Sequence, residues 1–255
     1  MNIRYGQYLF FSNGMQINNP KSYIKYSLIF LIAISLIYFI KYNEVDKKLT
    51  LNDNKYIELI LSDFNIDKEI NFNDLDYSSK IQFIHSIQKK IVDNPNLNKM
   101  IEKNYDREPK NYYNIKPNIC YDNSRVMQKI FNYFDIETTQ LAIYSKASNL
   151  PVLKLFFTPR ISSHSLTIVH IADKNLIVDS TNNFISLDND LNSIPINSIK
   201  QYYDINWKYA KPHPIFRNDY FIIYGLYSRH GKFYRPFWHF PDINLSEFKL
   251  NFINS

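Results

Sequence analysis

Glycine is nearly absent: the 255 residues hold four, Gly6, Gly14, Gly225 and Gly231. None falls in the clustered spacing that lets backbone N–H groups close around a phosphate, which excludes a P-loop and a glycine-fingerprint dinucleotide site. Cysteine is scarcer still, the one residue being Cys120, so no internal disulfide forms and the fold rests on its core alone. Patterns of the HExxH and CxxC type are missing, and with them the usual frames for zinc; no metal and no cofactor is expected. A charge cluster of one sign is missing too. The net charge is +6, but the lysines are dispersed among Asn, Ile and Tyr, so a nucleic-acid partner is not expected. What the chain does have is apolar and aromatic residues, 45% and 16%, enough for one sizeable core with an anchor beside it.

Residues 26–40 read YSLIFLIAISLIYFI, with Lys21 and Lys25 before the run and Lys41 after it. Taken back to Ser22, with Lys25 snorkelling, it reaches about 20 residues, the length a helix needs to cross a bilayer. A buried core helix would show a polar face, and this run has none. A cleaved signal peptide would need a shorter leader and a small-x-small site after Ile40. The sequence therefore predicts a short N-terminal segment over 1–21, a single-pass transmembrane signal anchor over 22–41, a stalk or packing extension with some helix over 42–75, and a globular domain over 76–255. Arg4, Lys21 and Lys25 stand on one side of the anchor; Lys41, Lys47 and Lys48, offset by Glu44 and Asp46, stand on the other. The expected orientation leaves the C-terminal domain outside the cytoplasm, attached to the membrane.

Within 42–75 a short helix is expected over 56–64. Over 76–92, Ile81, Ile84, Ile87 and Ile91 recur at helical spacing, and Ser78 or Ser79 can cap the start; His85 reads as an ordinary helix residue. A second helix starts near Asn118, just after Pro117, with the apolar stripe Val126, Met127, Ile130, Phe131 and Phe134. Strand-like runs follow over 139–144, 152–157, 165–171, 176–179 and 220–224. Asp173, Lys174 and Asn175 form a turn composition that joins two of them as an antiparallel hairpin. Helices before strands predict an α+β domain.

The second of these helices carries Cys120 in its first turn. There the unsatisfied backbone N–H groups and the positive dipole end favour the thiolate, the reactive form of the side chain. A thiolate mechanism also needs a base that protonates the leaving group and a third group that fixes the imidazole tautomer. His164 opens the run HSLTIVHI and Asp179 closes NLIVDS, so the hairpin brings both to one end of the sheet, where the Cys120 helix can cap them. His170 shares a strand face with His164 and competes for the role of base, although its place beside the turn suits a strand-end residue.

Together the segments ICYDNSRVMQKIFNYFDIETTQLAIY and SSHSLTIVHIADKNLIVDST resemble the core of transglutaminase-like proteins, over roughly residues 76–184. In that family a nucleophilic cysteine starts a helix, a histidine begins a strand and an aspartate ends the next, often followed by Pro-Thr; here the last element is Asp179, Ser180, Thr181. Ile119 replaces the glycine often found before the cysteine, Leu166 stands where an aromatic commonly follows the histidine, and Thr138 to Gln140 replace a stretch that commonly carries an arginine. The resemblance implies a papain-like core with the Cys-bearing helix on an antiparallel sheet. It also implies a cysteine hydrolase or acyltransferase in which Cys120 attacks an amide or ester carbonyl, His164 shuttles the proton and Asp179 holds His164. One oxyanion donor is then the Cys120 backbone N–H and a second is a side chain upstream, for which Asn111 to Asn114 are candidates among which the sequence does not choose. The implied substrate is a peptide, protein or cell-envelope amide. The departures keep a second reading open, a catalytically inactive binding or assembly module at the cell envelope. The aromatic C-terminal stretch, with Arg229, His230, Arg235 and Trp238, reads as a wall beside the cleft, as a surface facing lipid headgroups or a glycan, or as core completion by Phe233, Phe237, Trp238 and Phe240 with a turn at Arg229, His230 and Gly231.

Overall fold

The computed structural model describes residues 20–93, 106–115, 119–146, 161–228, 234 and 240–253. The expected strand over 152–157 and Arg229, His230, Phe233, Arg235, Phe237 and Trp238 lie outside them. The chain divides into two units, residues 1–42 and 43–255. The described part of the first belongs to the helix α1 (Pro20–Asn43), whose stretch Tyr23–Asn43 is long and apolar enough to cross a membrane. Leu28, Ile29, Phe30 and Leu31 on it are all exposed, as suits a helix with lipid for a neighbour.

The second unit is α+β. Its helices are α2 (Leu51–Phe64), α3 (Tyr77–Val92), α4 (Pro109–Ile115) and α5 (Cys120–Tyr133), followed by β1 (Thr138–Ser145), β2 (Ser163–Ile171), β3 (Lys174–Asp179) and β4 (Tyr220–Tyr224). Two short turns of helix, α6 (Leu245–Phe248) and α7 (Leu250–Ile253), end it. The strands form one antiparallel sheet in the order β3-β2-β1-β4.

Strand alternation divides the core into two layers. On one face Val169, Ile171, Leu176 and Val178 pack against Ile81, Ile84 and Ile87 of α3 and Val126, Met127 and Ile130 of α5. On the other, Leu141, Ile143, Leu166 and Ile168 meet Phe184, Trp207 and Phe216 from the long connection between β3 and β4.

Several local expectations are corrected. Of the two readings of 42–75, stalk or packing extension, the structure shows the second: α2 begins at Leu51 under a capping box of Thr50 and Asp53, and buries Ile57, Ile60 and Leu61 in the first layer. Ahead of it, residues 43–48 are strapped to the domain. Val45 N–H donates to the Ile243 carbonyl at 2.8 Å and Ile243 N–H to the Asn43 carbonyl at 3.0 Å. The α3 cap is Asp76, which accepts from Ser79 N–H at 2.9 Å, because a carboxylate one residue before the helix reaches its third N–H. The hairpin turns on Ala172 and Asp173, with Ile171 opposite Lys174, so Lys174 and Asn175 already belong to β3. Ala172 takes a φ of 52° there, a left-handed backbone that the sequence does not advertise. Gly225, also left-handed at 68°, is a position where a Cβ would stand 2.6 Å from the Phe248 backbone nitrogen.

Candidate active site

His164 is the second residue of β2, and Leu166 stands opposite Asp179, the last residue of β3. Directly opposed residues share a face, and so do residues two apart on a strand; His164 and Asp179 are thus diagonal neighbours on the second face. The His164 Nε2 and Asp179 Oδ1 atoms are 2.9 Å apart, with both side chains buried. Asp179 Oδ1 also accepts from Thr181 N–H at 2.7 Å, Thr181 Oγ1 at 3.1 Å and Asn182 N–H at 3.2 Å. The carboxylate is therefore at once a turn-forming acid and the partner of an imidazole.

Cys120 reaches the pair from the opposite side of the sheet. Helix α5 lies on the first face, tied there by Ser124 Oγ and Thr167 Oγ1 at 3.0 Å. Its first residue sits at the sheet end, half-buried, with the thiol in hydrogen-bonding reach of the His164 ring. With Nε2 on Asp179, Nδ1 is the nitrogen left for another partner. Ile119 occupies the N-cap position in an extended conformation and supplies no side-chain acceptor, so no cap competes for the first N–H groups of the helix.

Burial by itself would push the His164 pKa down. The Asp179 carboxylate outweighs it, with help from Cys120, and the imidazole is held protonated far above its usual range. Asp179 is likewise pushed up by burial and pulled below the carboxylate range by His164 and by Thr181 N–H. The pair is an imidazolium and a carboxylate.

Three residues that the sequence does not single out build the surroundings. Gln88 of α3 donates from Nε2 to the carbonyls of Asp179 at 3.0 Å, Asn182 at 3.0 Å and Phe184 at 2.7 Å, which fixes the chain just after β3. Asn123 of α5 donates to the Ser180 carbonyl at 2.8 Å, locking the Cys120 helix to the same turn. His213 stacks on His164, ring centroids 4.2 Å apart and planes inclined by 12°. A legible signal existed for Gln88, a glutamine inside an isoleucine stripe, where a buried amide needs partners. His213 offered only His-Pro, a polar residue before a proline, the signature of a helical start.

The remaining candidates are placed apart. His170 lies at the far end of β2, roughly 20 Å along the strand from His164, and bonds Thr139 Oγ1 at 2.9 Å and Asn175 Oδ1 at 2.7 Å. His85 stacks on Tyr209 at 3.7 Å. Asp173 is an exposed turn residue. Asn111 turns its amide to the Asp106 carbonyl at 2.5 Å, and Asn114 is exposed. Among the described residues no group of His, Cys, Asp and Glu has the arrangement to hold a metal ion. No protein-family model matches the chain, and no curated protein matches it.

Proposed function

We propose that the chain is a membrane-anchored cysteine hydrolase or acyltransferase of transglutaminase-like type, with a papain-like core, acting on an amide bond. One observation carries the reading: a buried imidazole is held by a carboxylate on one nitrogen, and the only thiol of the chain lies close enough to act on the same ring. In the reaction the Cys120 sulfur, as thiolate, bonds to the carbonyl carbon, and the carbonyl oxygen takes the negative charge against the Cys120 backbone N–H. Collapse breaks the C–N bond, and His164 gives its proton to the departing amine. Water or an amine then attacks the thioester, His164 takes the incoming proton, and the thiolate is restored. Asp179 keeps the ring oriented throughout and stabilises its charged form.

The test is the rate of Cys120 alkylation by iodoacetamide against pH, on the full chain in non-ionic micelles. The wild type is expected to react at about pH 6, where an ordinary thiol with a pKa near about 8.5 is almost wholly protonated. His164→Ala is expected to react at least about tenfold more slowly there. Equal rates in the two proteins would favour the inactive binding or assembly module.

An extracytoplasmic domain, with cell-envelope amides as substrates, completes the proposal. Because Cys120 is the only thiol, a membrane-impermeant maleimide reports the side directly. Labelling is expected in intact cells, and labelling only after lysis would place the domain in the cytoplasm.

A further inference from the structure

We propose that His213 is a positioning residue for Cys120, His164 and Asp179: it holds the His164 ring in the plane that serves both partners, and gives up that support when it takes on a proton. The inference rests on the reading of those three residues as a thiol-dependent site. A single hydrogen bond to Asp179 fixes one nitrogen of His164 but leaves the ring free to swing about that bond. The face-to-face stack at 4.2 Å and 12° removes this freedom, because any rotation of His164 drives its edge into His213.

His213 is itself held from behind. It caps the 3₁₀ turn Pro214–Arg217, with Nδ1 accepting from Ile215 N–H at 3.2 Å, and Pro214 presets the backbone of that turn. On the preceding side the Pro212 carbonyl accepts from Tyr203 Oη at 3.1 Å. The ring is thus mounted on a fixed corner, whose next residues Ile215 and Phe216 are buried.

The same bond makes the device sensitive to pH. With Nδ1 accepting, the neutral ring carries its proton on Nε2. A second proton has to go to Nδ1, which breaks the cap and sets a cation face to face with the His164 imidazolium. The charged groups that act on His213 from neighbouring elements are His164 of β2 and Asp179 of β3. On its own segment Lys211 is exposed and Arg217 lies over the Tyr203 ring at 4.8 Å. Burial and the His164 charge, opposed by Asp179, keep His213 neutral to lower pH than a free imidazole.

Two substitutions separate support from capping. His213→Asn keeps a good cap acceptor but no ring, and His213→Phe keeps a flat ring but neither acceptor nor charge. Alkylation of Cys120 is followed from about pH 5 to pH 8 on the full chain in micelles, with melting recorded for each protein. His213→Asn is expected to melt like the wild type yet react about tenfold more slowly at neutral pH, as a misplaced group does. His213→Phe is expected to hold the neutral rate within about threefold and to lose part of the acid-side fall. A wild-type profile in folded His213→Asn overturns the proposal, and this variant alone decides if the phenylalanine protein does not fold. If His164→Ala also leaves the wild-type profile unchanged, the thiol-site reading falls with it; if only His213→Asn does, the thiol-site reading stands.

Discussion

Arg125→Met is expected to cost the domain about 3–5 kcal/mol, enough to leave a marginally stable protein largely unfolded. Arg125 lies in the middle of α5, wholly enclosed. Its guanidinium bonds Glu108 Oε1 at 2.8 Å, the Asp46 carbonyl at 2.8 Å and Gln128 Oε1 at 3.0 Å, and faces the rings of Tyr227 and Tyr234. Methionine fills much of the volume but takes a donor from the part-buried Glu108 carboxylate and Asp46 carbonyl and from Gln128 Oε1, which keeps only its bond from Tyr227. Lysine is expected to restore little of the loss, since one ammonium cannot serve three acceptors in a plane. Urea unfolding of the full chain in micelles measures both, and a loss below about 1 kcal/mol for Arg125→Met would show that the network contributes little.

Stability is also expected to fall as the solution is made alkaline, with His164 as the cause. Its folded pKa is raised from 6.5 to about 10, so its contribution is complete below about 6.5 and drains away as pH climbs towards 10. Asp179 has the opposite sign: its pKa is lowered from 3.8, so its contribution is present above that value and disappears on acidification. The pair therefore stabilises most between about pH 4 and 6.5. The wild-type melting temperature is expected to drop steadily from about pH 6.5 to 9. Asp179→Asn is expected to melt lower throughout and without that slope, because burial alone keeps its His164 neutral. An unchanged slope in the variant would assign the pH dependence to other groups.

How far these features were legible in the sequence depends on which forces write themselves locally. The isoleucine period of α3, the apolar stripe of α5 and the strand runs ending at Asp179 are local records of burial, and they place His164 and Asp179 at one sheet end without further information. The charged side of α5 reads locally as a solvated face. Asp122, Arg125 and Lys129 are buried instead, because chain from far away covers them. Arg107 pairs with Asp122 at 2.6 Å, Asp53 with Lys129 at 3.0 Å, and Tyr227 donates to Gln128 at 2.8 Å. Pairing over such separations leaves no period to find. His213 is hidden for the same reason: its partner is a ring on another element, reached by a connection with no regular secondary structure of its own beyond short 3₁₀ turns.

The strap at residues 43–48 also sets a timetable for synthesis. The Asn244 side chain donates to the Val45 carbonyl at 2.7 Å across 199 positions of sequence. The two hairpin strands and β1, all contained in residues 138–179, emerge together and can pair as soon as they clear the ribosome. Val45 must wait for Ile243, which is translated long after it. Until Ile243 has been made, the segment 43–48 is therefore without the backbone partner that holds it in the folded domain. A message truncated ahead of Ile243 would release a chain with its sheet assembled and its clasp missing, presenting unpaired backbone groups to neighbouring copies.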